Sequence, residues 1–404
     1  GVAVASSNAV MVGAVFMLDG QSLCEKLFSV TTGAASPNSR VRFFDNLTWG
    51  PVVGRGGVNL ANKLNAAMNM PVALVVGYRA GISGTTISQH LAATTIMNIN
   101  IQALNQIGNR IMMFNWQQGE GDASGGTSTE TYQGRFYTDS NSVVKTIRAN
   151  AINGSANPNL PVAVNIIGRA DSGLGAGYTD ANWENIRLAL NNAIATVPDC
   201  YLGAECVTVE NSGDGIHYSP AGFEVDSTWM ARAWLKALAL VPYGSGATLS
   251  SITKIDASTF DVKFSHVGGT DFTPTGGTSA NGFEVSDNGT PRAVTSALRQ
   301  SADTYRLTLA SPQTGPDAAL RFSYLYGLDG GVTYSATFSN PIVDNTTEAF
   351  AARAFVSRPL GSTVGPTVKV KSGGAYASAV VKVKVAGAYV SPVGIFVKAG
   401  GVYA

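Results

Sequence analysis

The sequence predicts a chain of three parts, the largest a doubly wound α/β domain. Three observations carry that prediction. Residues 9–242 alternate apolar strands with helical stretches, residues 246–345 switch to short strands of period two, and residues 346–404 carry a spaced repeat. Continuous apolar runs fit parallel strands covered on both faces; period-two alternation fits strands with one wet face.

The strands expected in the first part are Ala9–Leu18, Pro71–Tyr78, Arg110–Trp116, Pro161–Ile167 and Cys200–Val209. Helical patterns lie between them. In "TDANWENIRLALNNAIATVP", Asp180 is placed to cap, and Trp183, Ile186, Leu190, Ile194 and Val197 share one face. Pro198 then stops the helix. In "SPAGFEVDSTWMARAWLKALAL", Ser219 caps, Pro220 takes the first helical position, and the helix should run to about Leu240. Strands and helices alternating at this spacing define a doubly wound sheet.

At "VPYGSGATLSS" the pattern changes. Phe260, Val262 and Phe264 share one face of a strand, as do Tyr305, Leu307 and Leu309, and Phe322, Tyr324 and Tyr326. Turn residues separate these runs, which predicts an antiparallel β-sandwich. The last part repeats "VKSGGAY", "VKVAGAY" and "VKAGGVY" at spacings of 13 and 14, and no acidic residue follows Glu348. Repeats this short need a partner surface to bury a core. The expected domains are therefore 1–242, 246–345 and a β-rich tail 346–404.

Composition narrows the function. Of 404 residues, 45% are apolar and 13% charged, against a usual charged share of about 25%. Gly, Ala, Ser, Thr and Asn replace the missing charge. A net charge of +1 gives no general attraction to nucleic acid or an anionic membrane. Three cysteines, Cys24, Cys200 and Cys206, make no disulfide framework. No apolar run reaches the roughly 20 residues of a membrane span. The N-terminal stretch lacks a basic segment and reads as leading into a core strand, not as a signal peptide.

In a parallel α/β sheet, ligands bind at the carboxyl ends of the strands. Four segments should meet there: Ser22 in "DGQS", Gly84 in "GISGTTI", "WQQGEGD" from Trp116, and "DGIHYS" from Asp214. A serine beyond a strand end needs a base to act as a nucleophile. Of His90, His217 and His266, the last lies in the sandwich and His90 at a helix start, whereas His217 sits in a rim loop with Asp214 three residues upstream. That spacing lets Asp214 orient the imidazole, as the acid of a triad does. Each piece alone is ordinary, since most serines after strands are caps. Cys24 is a rival nucleophile two residues on. Cys200, Cys206, Asp214 and His217 match no standard zinc spacing.

The segments "FMLDGQS", "SGTTI", "WQQGEGDA" and "DGIHY" together resemble the SGNH/GDSL hydrolase superfamily. They are most similar to its carbohydrate acetylesterase branch, which includes sialate O-acetylesterases and carbohydrate esterase family 6. The resemblance covers residues 9–242 and implies a flavodoxin-like sheet and a cofactor-free, metal-free serine esterase. It implies Ser22 as nucleophile, His217 as base and Asp214 as its orienter. The oxyanion hole would comprise the Ser22 and Gly84 N–H groups and the Gln118 side chain, each donor worth about 3–4 kcal/mol. Glu120 would brace the rim by hydrogen bonding. The branch usually continues "GQSN", whereas Leu23 stands here after the serine. Trp116, Trp49, Tyr78 and Arg79 are candidates for sugar contact, Trp49 and Trp116 equally for the core.

The composition and the C-terminal repeats resemble bacteriophage tail fibre and tailspike proteins, some of which remove O-acetyl groups from capsule or O-antigen. This resemblance implies a homotrimer located in the virion tail, with other virion tail proteins and an acetylated polysaccharide as partners. A secreted bacterial acetylesterase and a non-catalytic receptor-binding domain are the alternatives.

Overall fold

The structure, a computed structural model, describes residues 13–79, 82–151, 157–275, 277–325 and 340–360, and the backbone of short strands between 367 and 403. The chain folds into two compact units, with the main boundary at Ser245/Gly246.

The first unit is built on a seven-stranded sheet. Its strands are β1 (Ala14–Gly20), β2 (Val41–Asp45), β3 (Thr48–Gly50), β4 (Val72–Val76), β5 (Met113–Gln117), β6 (Val162–Ile166) and β7 (Cys200–Glu205), in the order β3-β2-β4-β1-β5-β6-β7. All neighbours pair in parallel except β2 and β3. The helices are α1 (Ser22–Ser29), α2 (Arg55–Met68), α3 (Thr95–Gln106), α4 (Glu120–Ser124), α5 (Thr129–Gln133), α6 (Val143–Asn150), α7 (Asp180–Thr196) and α8 (Pro220–Ala237).

The five strands expected from the sequence are β1, β4, β5, β6 and β7. Taken alone they run 2-1-3-4-5, the flavodoxin order. The hairpin β2–β3 extends the β4 edge and was not expected. Its turn places Asn46 and Leu47 at φ 46° and 63°, both left-handed. A leucine there is rare, so "NL" carries none of the Asn-Gly signal of such turns. The first strand begins at Ala14, and its expected start, Ala9–Val12, lies outside the described residues. The other strands are shorter than expected; Cys206–Thr208 leaves β7 as a 3-10 turn.

Side chains on β1 alternate between faces, as strand geometry requires. Phe16 stacks on Trp234 of α8 with ring centroids 5.1 Å apart, while Asp19 accepts a hydrogen bond from Asn100 of α3. The α8 helix starts as expected, with the Ser219 hydroxyl accepting from Gly222 N–H and Pro220 in the first turn, but ends at Ala237. Asp180 is not the cap of α7 but its first residue. The Thr179 hydroxyl, one step earlier, accepts from Asn182 N–H instead.

The second unit holds a β-sandwich. One sheet has the order β13-β14-β9-β8, from β8 (Thr248–Lys254), β9 (Thr259–Ser265), β13 (Val294–Ser301) and β14 (Thr304–Leu309). The other has the order β12-β11-β15-β17, from β11 (Phe283–Asp287), β12 (Thr290–Arg292), β15 (Leu320–Tyr324) and β17 (Phe355–Pro359). A two-residue pair, β10 (Phe272–Thr273) and β16 (Val343–Asp344), completes it. Phe260 meets Phe322 at 5.1 Å and Phe264 meets Tyr324 at 6.1 Å, so the predicted apolar faces interlock. Tyr326 lies outside the described residues. Because β17 pairs with β15, the sandwich continues past the expected limit of 345 into residues assigned to the tail. Beyond it, each repeat is a backbone hairpin: β18–β19 (Thr367–Ser372, Ala375–Val380), β20–β21 (Val383–Val385, Ala388–Val390) and β22–β23 (Lys398–Ala399, Val402–Tyr403). Lys371, Lys384 and Lys398 are in register with Tyr376, Tyr389 and Tyr403, and the side chains of these repeats lie outside the described residues.

Phe16→Ala removes a fully buried ring from the centre of the first unit. It is expected to cost about 3–5 kcal/mol in urea unfolding. A loss under about 1 kcal/mol would mean that β1 and α8 do not share this core.

Candidate active site

The chain reverses direction across the sheet at β1 and β5, the switch point where a flavodoxin-type sheet opens a crevice. Ser22 follows β1 directly and is the first residue of α1. Gly20 must be glycine here, since a Cβ would lie 2.0 Å from the Gln117 carbonyl oxygen on β5.

Ser22 Oγ lies 2.9 Å from His217 Nε2, and His217 Nδ1 lies 2.7 Å from Asp214 Oδ2. The three residues predicted from separate motifs thus form one hydrogen-bonded chain. His217 stands in the turn between Asn211 and Tyr218, which bridge one another, and its side chain is 20% exposed. Burial alone would raise the Asp214 carboxyl. The His217 N–H and ring, the Ser212 hydroxyl and the Ile216 N–H outweigh that and hold it well below the usual carboxylate range. An ionised Asp214 can only accept, so Nδ1 carries the proton and Nε2 presents its lone pair to Ser22.

Gly84 lies on the turn Ile82–Thr85 at φ 70°, with no described residue beyond its chain neighbours within 4 Å of where a Cβ would be. Gly81, which opens that segment, lies outside the described residues. Neither the Ser22 nor the Gly84 N–H donates to another described residue.

Gln118 does not take the expected role. Its side chain is 0% exposed, and the two hydrogens of Nε2 are shared among Asp122 Oδ2 at 2.6 Å, Gln21 Oε1 at 3.1 Å and the Thr85 carbonyl oxygen at 3.2 Å. Its Oε1 accepts from the Tyr132 hydroxyl. With its amide engaged inside the protein, Gln118 ties the three rim segments together and offers nothing to the cleft. Glu120 is not the expected hydrogen-bonding brace either. It is 4% exposed, and its Oε2 has no partner among the described residues. Bracing falls to Gln21, whose Oε1 also accepts from Gly119 and Gly121 N–H, and to Asp122, which accepts from Ile87 N–H and the Thr127 hydroxyl.

The proposed sugar contacts divide. Trp116 is wholly in the core, donating from Nε1 to the Tyr132 hydroxyl. Trp49, on β3, is 53% exposed and packs edge-on against Phe44. Arg79 follows β4 and forms an ion pair with Asp45 at 2.6 Å, next to half-buried Tyr78. Cys24 is buried, and that burial, with the Asp19 and Asp226 charges, pushes its thiol well above the usual range. A thiol so held is a poor nucleophile. Cys206 Sγ donates to Asp226, and among the described residues no three His, Cys, Asp or Glu side chains gather as a metal site. No helix among them is long and apolar enough to cross a membrane.

The fold is similar to that of a carbohydrate acetylesterase from Xanthomonas citri, with a TM-score of 0.62 at 15% identity over 85% of this chain and 80% of that one. Two more distant likenesses are a protein of Arabidopsis thaliana (TM-score 0.43, 17% identity, 55% of this chain, 98% of that one) and a lipase/acylhydrolase of Enterococcus faecalis (TM-score 0.34, 16% identity, 56% and 96%). No protein-family model and no curated protein sequence matches the chain. A doubly wound α/β domain followed by a β-rich region is the fold shared with the first of these structures.

Two acids lie buried beside the site. Burial pushes Glu120 from 4.5 up to about 7, opposed by its own N–H and raised further by Asp226. Burial pushes Asp226 up to about 6, opposed by hydrogen bonds from Cys206 and Gln117. The folded form holds the Glu120 proton more tightly than the unfolded chain does. Its contribution therefore favours folding at low pH and declines as pH rises from about 4.5 to about 7. Between about pH 4 and 8 the wild type should lose on the order of 3 kcal/mol more stability than Glu120→Gln. Urea unfolding across that range measures it; equal slopes for the two proteins would refute it.

Proposed function

We propose that this protein is a serine esterase that removes O-acetyl groups from a carbohydrate. The observation that carries the reading is the Ser22–His217–Asp214 chain at 2.9 and 2.7 Å, at the carboxyl end of a doubly wound sheet. Ser22 Oγ attacks the ester carbonyl as its proton passes to His217 Nε2. Asp214 stabilises the imidazolium so formed. The Ser22 and Gly84 N–H groups are the donors for the tetrahedral oxyanion. His217 then protonates the departing sugar hydroxyl, leaving acetyl on Ser22. Water, deprotonated by His217, releases acetate and restores the serine.

The substrate class rests on the "DGQS" and "QGEGD" motifs and on the fold shared with the Xanthomonas citri acetylesterase. Exposed Trp49 on the rim supplies an aromatic face of the kind that stacks on sugars. The Gly/Ala/Ser/Thr/Asn bias and the hairpin repeats support a setting in a phage tail. There the protein would act as a homotrimer among other virion tail proteins, on acetylated capsule or O-antigen at the bacterial surface.

Ser22→Ala should abolish turnover of 4-nitrophenyl acetate and leave the fold unchanged by circular dichroism. Asp214→Asn should lower kcat by about 10²–10⁴. Mass spectrometry of bacterial polysaccharide should show loss of acetyl mass with wild type and none with Ser22→Ala. Ser22→Ala retaining more than a few per cent of activity would refute the nucleophile.

Truncation after Leu360 removes the hairpin repeats and spares β17. The truncated protein should keep activity on 4-nitrophenyl acetate and become monomeric in light scattering. A truncated protein that stays trimeric would show that the repeats are not the assembly element.

A further inference from the structure

A second histidine is hydrogen bonded on both ring nitrogens, outside the Ser22 chain. His90 ends the 3-10 turn Ile87–His90 and is 0% exposed. Its Nδ1 lies 3.0 Å from Asp19 Oδ2 and its Nε2 2.9 Å from Thr85 Oγ1. Trp116 meets the ring at a right angle with centroids 5.2 Å apart.

The proton positions follow from the partners. The Thr85 hydroxyl donates its single hydrogen to the Ile82 carbonyl at 2.7 Å. It can then only accept, so His90 Nε2 donates to it. Asp19 accepts from Asn100 Nδ2 and Gly20 N–H. The ring is thus held on both edges, by Asp19 at Nδ1 and by Thr85 at Nε2, in a buried hydrogen-bonded pair. Thr85 is therefore no second nucleophile, because the nitrogen facing it has no lone pair to take a proton.

We propose that His90, held by Asp19, is a positioning residue for the oxyanion site, acting through Thr85 on the Gly84 N–H. The inference rests on the esterase reading above. Among the described residues other than its chain neighbours, none lies within 4 Å of where a Gly84 Cβ would be, so no more distant described side chain packs against that side of the turn. Thr85, the next residue, is fixed at its hydroxyl by His90 and at its carbonyl by Gln118 Nε2. The same Gln118 nitrogen donates to Gln21, the neighbour of Ser22. Strand β1 thus ends in two functions: Ser22 is the nucleophile, and Asp19, three residues earlier, anchors the clamp on the opposing donor. Displacing the donor should lower kcat and leave ground-state binding alone.

Thr85→Val keeps the shape and removes the hydroxyl; Thr85→Ser keeps the hydroxyl. On 4-nitrophenyl acetate, Thr85→Val should lower kcat by about ten- to a hundredfold with KM within about twofold. This is less than the 10²–10³ lost with a whole oxyanion donor. Thr85→Ser should stay within about threefold of wild type. Full activity in Thr85→Val, or equal loss in both variants, would overturn the proposal. If wild type and Ser22→Ala are equally inactive, the esterase reading itself has failed and this inference falls with it. Histidine-selective 15N NMR of the full chain at neutral pH, assigned with His217→Gln and His266→Gln, needs no activity. It should show His90 Nε2 protonated; an unprotonated Nε2 would overturn the clamp.

Discussion

The side-chain carbonyl of Gln21 holds the rim together. Its Oε1 accepts from Gly119 N–H, Gly121 N–H and Gln118 Nε2, while its own N–H donates to the Gln117 carbonyl at 3.1 Å. One residue therefore fastens the end of β1 to the end of β5 and the start of α4. Removing the acceptor leaves buried donors unpaired, each at a cost of about 1–3 kcal/mol. Close approach is possible only because Gly20 has no Cβ to strike Gln117. Ser22 follows immediately, so its backbone is placed before any partner of its hydroxyl is considered.

The two histidines in the first unit show how environment assigns a role. His217 sits in an exposed turn, its Nε2 open to Ser22 and its Nδ1 proton fixed by Asp214. It can take up and release a proton during a reaction. His90 has no exposed surface and is hydrogen bonded at both ring nitrogens inside the protein, so its role is structural. Both are three-member chains ending in an aspartate. Water access and the identity of the hydroxyl's own acceptor separate them.

The doubly wound sheet was legible because each of its five expected strands is apolar or nearly so along its length and each is followed by a turn. The hairpin β2–β3 was not, because "VRFFDNLTWG" is short and turns through a left-handed leucine. The triad residues were legible as local motifs, "DGQS" and "DGIHY", each at an element end. Their supporting residues were not. Asp19 reads as the stop after an apolar strand, His90 as part of a helix start, and Thr85 as one of two adjacent threonines; their sequence separation of up to 71 residues carries no period. Gln118 and Glu120 were misread for a related reason. A motif names the residue but not the direction of its side chain, and the tight turn at Gly119, φ 156°, sends both inward.

The unexpected hairpin also shapes what the crevice can recognise. β3 pairs Trp49 with Phe44 on β2, one residue before Asp45, which is bound to Arg79 beyond β4. The hairpin thus lengthens the carboxyl-end rim and adds an exposed indole beside a closed ion pair. An ion pair closed on itself adds little net Coulomb attraction for a charged ligand. What the hairpin adds to the rim is an aromatic surface able to stack on a ligand face. Under the proposed esterase reading, the acyl group would be read at Ser22 and the rest of the substrate along the edge that the extra strands create.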